Sequence, residues 1–210
     1  GGSQDGFATI KKLGIEQLDA LFWPGSQYMI LDQQRKRPHN TYTTPALLAK
    51  AMTEQGFQAR YQDALKRGGV PSGGSASTGV EIRYMESGAG KNVVSWAYEA
   101  TSGRYFRSSN DRPHATEGAT QISTANLAVL FMPIKLVDAK VGYLDVNVIG
   151  EGKAQFFRDG RVWEGGWQKE SMTKPVHLWF SDGTMHDFPW AEGGLWVEVV
   201  GQPASVTIKP

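Results

Sequence analysis

From Val80 onward apolar side chains recur at every second position: Val80, Ile82 and Tyr84 alternate with charged neighbours, and Val94, Trp96 and Tyr98 with smaller residues. A period of two sets one face of a strand against a core. Tyr105 and Arg107 follow a Ser102-Gly103 turn, and further strands are predicted over 126–132, 142–148, 153–157, 161–167, 177–180, 184–188, 195–200 and 205–209. Asp159-Gly160, Asp182-Gly183 and Gly193-Gly194 punctuate them. Asp-Gly between apolar runs is a strong hairpin signal, because both residues tolerate the positive φ of a tight turn. Residues 80–210 therefore read as a mainly antiparallel β-domain, either a sandwich or a bent sheet.

Upstream the spacing turns helical. Ile10, Leu13, Gln17 and Leu18 follow Ser3 at a loose helical interval, which Gly14 breaks into two pieces. Thr44-Pro45 is a hydroxyl N-cap followed by proline at the first helical position, and the apolar run 46–52 continues that helix to a stop at Gly56. Residues 57–67 are expected to add a turn or two. Gly and Ser fill most of 68–79, which buries almost nothing and reads as a flexible linker. The expected fold class is α+β. A small helix-containing lobe over 1–67, open to being the remainder of a larger N-terminal domain, precedes the linker and the β-domain of 80–210.

Composition narrows the classes. Hydrophobic residues make up 40% and charged ones 20% of 210 residues, with seven Trp, seven Tyr and nine Phe, which excludes a disordered, collagenous or coiled-coil chain. A net charge of +1 gives no long-range reason to expect nucleic acid. Zero cysteines removes disulfides, zinc ribbons, iron–sulfur clusters and thiol catalysis, and leans toward an extracytoplasmic origin. The longest mainly apolar stretch, 127–137, is too short for a membrane helix and contains Pro133 and Lys135. Gly1-Gly2-Ser3 is neither a Met start nor a signal, and reads as the start of a fragment relieved of its targeting segment.

Two segments carry candidate chemistry, and they share an Arg-Pro-His echo. Arg35-Lys36-Arg37-Pro38-His39-Asn40, with Tyr42 beyond it, precedes the Thr44 cap. Its arginines suit carboxylate or phosphate, and the unpaired amides of the helix start favour an anion; a solvated charged turn is the plain alternative. In the second segment Tyr105 and Arg107, two apart on one strand, face the same side, with Asp111, Arg112 and His114 following and Asn126 beyond. The alternative there is a Tyr–Arg packing pair, an exposed His114 and an Asn126 that satisfies buried backbone. The ligand-binding candidates are thus Arg35, Arg37, His39, Asn40, Tyr42, Tyr105, Arg107, His114 and Asn126, with His39 and His114 as the acid–base candidates.

Other chemistries find less. His39, His114, His177 and His186 lack metal-ligand spacing, so no metal and no cofactor is expected. Asp145, Glu151, Asp159 and Glu164 cannot be paired as a glycosidase would need, and Asp159 fits a turn-setting role. Neither a Gly-x-Ser-x-Gly elbow nor a complete phosphate loop is present. Trp163, Trp167, Trp179, Trp190 and Trp196 crowd into one stretch as sugar-stacking faces or, more plainly, as core. Trp163 and Trp167 share a face unless Gly165-Gly166 forms a bulge.

Several strings in order along the chain resemble the bacterial YerB-like family of lipoproteins, whose domains have no established function. They are Gly1-Gly2-Ser3, Arg37-Pro38-His39-Asn40 with Tyr42, Trp96-Ala97-Tyr98, Ser102-Gly103, Tyr105-Phe106-Arg107, Pro113-His114, Gln121-Ile122 with Asn126, Gly152-Lys153-Ala154, Asp159-Gly160, Gly166-Trp167 and Trp196-Val197-Glu198-Val199-Val200. The resemblance implies an exported protein, lipid-anchored at full length, of which this chain is the later part. The family pattern places a carboxylate after the histidine of Pro113-His114, where this chain has Ala115-Thr116, and Tyr-Asp where it has Tyr98-Glu99. The leading expectation is an extracytoplasmic, non-catalytic envelope protein that binds an anionic cell-wall component or a protein partner, touching the membrane only through its anchor. The alternatives are an envelope hydrolase or transferase using His39 or His114, and a structural scaffold without ligand.

Overall fold

The computed structural model describes residues 4–37, 39–58, 65–84, 92–138, 140, 142–181, 185–201 and 204–210. They form two compact units, Gly1–Gln62 and Asp63–Pro210.

In the first unit α1 (Gln4–Leu13) stops at Gly14, whose φ of +63° suits glycine. The predicted cap holds: the Leu47 N–H donates to the Thr44 hydroxyl at 3.1 Å, α2 (Pro45–Glu54) follows, and Gly56 ends it in the left-handed region. Two short antiparallel strands, β1 (Ile30–Leu31) and β2 (Thr41–Tyr42), flank the charged loop. The Tyr28 hydroxyl donates to Glu54 at 3.0 Å and accepts from Gln55 at 3.1 Å, tying the turn before β1 to the end of α2. The turn expected over 57–67 falls mostly outside the described residues, and 65–67 are not helical.

The second unit is built of strands. They are β3 (Ser75–Ala76), β4 (Gly79–Arg83), β5 (Val93–Glu99), β6 (Arg104–Ser109), β7 (Arg112–Pro113), β8 (Ser123–Thr124), β9 (Asn126–Phe131), β10 (Ile134–Asp138), β11 (Tyr143–Val146), β12 (Gly150–Arg158), β13 (Arg161–Lys169), β14 (His177–Ser181), β15 (Met185–Asp187), β16 (Leu195–Val200) and β17 (Ser205–Lys209). One sheet runs β15-β14-β13-β12-β9-β16 with β3 added on β13, and a second runs β17-β4-β5-β6-β7 with β8 added on β6. The chain is α+β as expected, and among its named strands one pair departs from antiparallel: β16 lies parallel to β9, in register from Leu195 opposite Asn126 to Val200 opposite Phe131. The Asp159-Gly160 turn joins β12 to β13 with φ of +49° and +68°, a two-residue hairpin loop. The Asp182-Gly183 turn lies outside the described residues.

Residues 126–130 of β9 are all buried, so the strand reads as a continuous apolar run rather than an alternation. Leu127 and Val129 face the second sheet, joining Val80, Ile82, Val94, Trp96, Tyr105, Phe157, Val162 and Val200. Ala128 and Leu130 face the other way, into an aromatic core of Phe156, Trp163, Trp167, Phe180, Phe188 and Trp190. The first sheet is therefore covered on both faces. Gly165-Gly166 makes no bulge: the ladder continues unshifted through it, and Trp163 and Trp167 enter the same core. The two glycines are needed for space instead, since a Cβ on Gly166 would meet the Trp179 ring at 2.3 Å.

The stretch read as a flexible linker is strapped to this unit. β3 pairs with β13, and the Gly68 N–H donates to the Trp190 carbonyl at 3.1 Å. Arg158 donates to the Gly68 and Gly69 carbonyls, Arg161 to that of Gly73, and the Trp163 indole to that of Ser72. Its poverty in side chains leaves backbone carbonyls free, and buried Arg158, exposed Arg161 and an indole take them up. Among the described residues no helix is long and apolar enough to cross a membrane.

Candidate functional site

The second Arg-Pro-His segment is shaped by a tight turn. Asn110 and Asp111, at φ +50° and +63°, reverse the chain between β6 and β7 and bring His114 back opposite Arg107. The His114 N–H donates to the Arg107 carbonyl at 3.0 Å, and the His114 carbonyl accepts from Ile122 at 2.8 Å. Arg107 leaves β6 on the inter-sheet face, as does Tyr105 two residues before it.

There Arg107 meets a residue that sequence reading passed over. Glu198, on β16 and 6% exposed, accepts from the Arg107 Nε at 3.3 Å, the Trp96 indole at 3.0 Å and the Tyr84 hydroxyl at 2.6 Å. The Arg107 guanidinium lies against two indoles, 5.8 Å from the Trp96 ring and 5.2 Å from that of Trp196. Its Nη1 contacts His114 Nδ1. Burial, reinforced by the bond to Glu198, pushes the Tyr84 hydroxyl far above the usual tyrosine range. The same cause, burial, raises that of Tyr105.

The chemistry of this cluster follows from its donors and acceptors. Three donors occupy the Glu198 carboxylate, whose charge balances that of Arg107, so the cluster carries no net charge. A guanidinium only donates, so Nδ1 of neutral His114 accepts and the ring proton sits on Nε2. His114 is half-buried, and that N–H is a donor the cluster leaves over; Glu198 is too occupied to serve as its base.

The other predicted residues are placed otherwise. Tyr105 is fully buried, its hydroxyl accepting from the Gly160 N–H at 3.2 Å, and so belongs to packing rather than to a ligand surface. Asn126 is also fully buried: its Oδ1 accepts from Ala191, and its Nδ2 donates to the carbonyls of Ala191 and Gly194. It clamps the turn before β16 and has no group left for a ligand. In the first unit Arg35 pairs with Asp32 at 3.3 Å and lies 5.8 Å from the Tyr42 ring. The Tyr42 hydroxyl donates to the His39 carbonyl at 3.4 Å; Arg37 and His39 are exposed, and Asn40 is buried. Pro38 lies outside the described residues. Of the crowded tryptophans, Trp163, Trp167 and Trp190 are core, while Trp196 walls the Arg107 cluster. Asp159 holds Arg158 at 2.9 Å, and Glu164 accepts from Gln155 at 2.9 Å. Among the described residues no three His, Asp or Glu gather closely enough to hold a metal ion.

Residues 80–197 match the family described as protein of unknown function (DUF3048), C-terminal domain. The chain is 25% identical over 190 residues to the Bacillus subtilis (strain 168) protein named "Putative lipoprotein YerB", in a match covering 88% of this chain and 54% of that protein. It thus spans about half the length of this curated relative. The crystal structure of YerB protein from Bacillus subtilis shares the fold, with a TM-score of 0.77 at 19% identity over 98% of this chain and 68% of that one. The family match takes in Tyr84, Trp96, Arg107, His114 and Trp196, and ends one residue short of Glu198.

Proposed function

We propose, on the premise that the chain belongs to the DUF3048 family through its C-terminal domain, that it is a non-catalytic binding protein of the bacterial envelope, located outside the cytoplasm. It holds a hydrogen-bond-accepting, uncharged part of the cell wall at His114, beside Arg107 and Trp196. The location is supported by the lipoprotein name of the relative and by the absence of cysteine.

One observation carries the choice of ligand: Arg107, the cation expected to meet an anion, is already neutralised by buried Glu198. Taking two charges out of water is costly, and a plain apolar pair would pack the inter-sheet core as well. What the pair adds is a fixed His114 Nε2–H at the edge of an indole wall, a donor suited to a carbonyl or hydroxyl.

Retention on purified wall fragments tests this. The chain is expected to stay bound in about 1 M salt, where exposed charges are screened beyond about 3 Å. His114→Ala is expected to weaken retention at least about tenfold, the worth of one good hydrogen bond, with the fold intact. Retention that vanishes with salt restores the anionic ligand, and retention unmoved by His114→Ala puts the site elsewhere.

A second reading, a protein partner, is favoured by the β10–β11 hairpin, on which Leu136, Val137, Tyr143 and Leu144 are all about half exposed or more. Leu136→Ser with Leu144→Ser leaves wall retention unchanged under the first reading and abolishes partner binding under the second.

A further inference from the structure

Of the five crowded tryptophans, Trp179 belongs neither to the aromatic core nor to the Arg107 cluster. β14 sends Leu178 and Phe180 into that core, so Trp179 between them stands on the other face of the sheet, where it is half-buried. It lies opposite Gly166 on β13 and Asp187 on β15. A Cβ on Gly166 would come within 2.3 Å and 2.6 Å of two carbons of the Trp179 ring. The missing side chain is the seat of the indole: one ring face rests over the β13 backbone and the other turns away from it. Because β13 and β15 pair with β14 on its two sides, the seat is rigid.

The surroundings of the ring are polar. Lys153 is the next residue across the sheet beyond Gly166, and Gln155 and Glu164 face one another two residues along. The Gln155 amide donates to Glu164 at 2.9 Å, while its Oε1 stays buried without a hydrogen-bond partner. On the far side of the ring Asp187 contacts Lys66 and His177. Lys153 and Glu164 are exposed, so this part of the face lies beyond the cover of the second sheet. Trp96, Trp163 and Trp167 each give their indole N–H to an acceptor, whereas among the described residues that of Trp179 meets none.

These features select a class of ligand. Lys66 and Lys153 are balanced by Asp187 and Glu164, so the surface favours neither an anion nor a cation. A strand-adding peptide would take the edge at β15 and leave the ring one strand further in. An apolar partner would strip water from all four charges. A pyranose ring fits: its C–H face is apolar and stacks on an indole, and the hydroxyls at its rim both donate and accept. We propose that Trp179 is the platform of a saccharide-binding site, with a pyranose stacked on the indole and its hydroxyls bonded to Gln155, Glu164 and Asp187. The Gln155 Oε1 and the Trp179 N–H are the acceptor and donor that ligand hydroxyls complete. Three strands, β13, β12 and β9, separate Trp179 from β16, so this site is distinct from the His114 cluster and does not rest on it.

Calorimetric titration of the 210-residue chain with soluble β-1,4-linked tetramers of N-acetylglucosamine, glucose and mannose tests it. Saturable binding of at least one is expected, with a change in tryptophan fluorescence. Trp179→Ala is expected to weaken it at least about tenfold, and Trp179→Tyr, which keeps a stacking ring, by about threefold or less. Glu164→Ala is expected to weaken it about fivefold, the worth of one hydrogen bond, and decides the matter if Trp179→Ala does not fold. His114→Ala leaves the affinity unchanged. No saturation by any of the three sugars below about 10 mM overturns the proposal, as does affinity unmoved by Trp179→Ala or, where that variant does not fold, by Glu164→Ala. Binding lost in His114→Ala but kept in Trp179→Ala also overturns it, and assigns the sugar to the His114 cluster instead.

Discussion

The two cores of the β-domain lie on opposite faces of one sheet and are fed by the same strand, yet among the described residues only the one between the sheets holds an ion pair largely buried on both sides. Behind β9, Phe156, Phe188 and Trp190 pack at ring separations of 4.7 to 5.4 Å. The indoles of that core send their N–H groups to backbone carbonyls, Trp163 to Ser72 and Trp167 to Phe131. In front of β9 the Trp96 indole instead finds the Glu198 carboxylate, and the carboxylate brings Arg107 and Tyr84 with it. Behind β9 the one buried cation among the described residues, Arg158, is spent on the carbonyls of Gly68, Gly69 and Pro189 and on the turn residue Asp159, and stands outside the packed rings. The charged pair between the sheets is an addition that packing does not require, and for that reason it is where binding is sought.

The largest loss is expected when the carboxylate is stranded. Arg107→Met is expected to cost about 3–5 kcal/mol, because it leaves a buried charge without its partner. Adding Glu198→Gln should recover most of that loss, since the amide oxygen still accepts from Trp96, the amide N–H donates to the Tyr84 hydroxyl in place of the bond it loses, and the side chain carries no charge. Urea unfolding of the four proteins of this cycle decides it: costs that simply add would mean that the pair does not act as a unit. The aromatic core behind β9 is tested by size instead of charge. A Cβ on Gly152 would come within 2.6 Å of the Trp167 Nε1 and 2.7 Å of the Phe131 carbonyl that it bonds. Gly152→Ala is expected to destabilise by about 1–3 kcal/mol through overpacking while leaving wall retention at His114 unchanged.

Much of this architecture was legible beforehand. The alternation in β4 and β5, the Asp159-Gly160 turn and the Thr44-Pro45 cap are local signals, and they produced local structures. Arg107 and His114 were legible as well, because one short turn brings them together. Glu198 was not. In Trp196-Val197-Glu198-Val199-Val200 the valines suggest the inward face, but β16 lies beside a strand buried on both sides, so Trp196, Glu198 and Val200 also turn into a core. Its parallel pairing with β9 escaped for a related reason: the choice of partner is tertiary and leaves no periodic trace. Asn126 misled because a polar residue heading an apolar run looks available, whereas its amide is spent on the turn before β16.

The Tyr84 hydroxyl links stability to alkaline pH. Burial and the Glu198 bond hold its proton in the folded state well beyond the value near pH 10 of an unfolded tyrosine. Its contribution is therefore complete below about pH 10 and declines above it, by about 1.4 kcal/mol per pH unit, as the unfolded chain gives up a proton that the folded one keeps. Tyr84→Phe should cost about 1 kcal/mol near neutral pH and make the alkaline decline shallower. Some decline remains, since buried Tyr105 is raised in the same direction. An unchanged slope would show that the Tyr84 proton is not held by the cluster.

The smallest effect is expected where charges meet at the surface. Asp187 on β15 contacts both Lys66 and His177, whose side chains are 74% and 53% exposed. The bond from Lys66 foremost, with a further one from His177, holds the Asp187 carboxyl below the usual aspartate range against the opposing pull of burial. A depressed carboxyl contributes above its unfolded value of about 3.9, and that contribution is lost as pH falls through the folded value. Asp187→Asn should thus cost less than about 1 kcal/mol at pH 7, and the difference from wild type should close on acidification and shrink with added salt. The Glu198 pair, shielded between two sheets, should keep its cost in the same salt. Equal salt sensitivity of the two variants would mean that the inter-sheet cluster is as wet as the surface one, and the contrast between the two cores would fail.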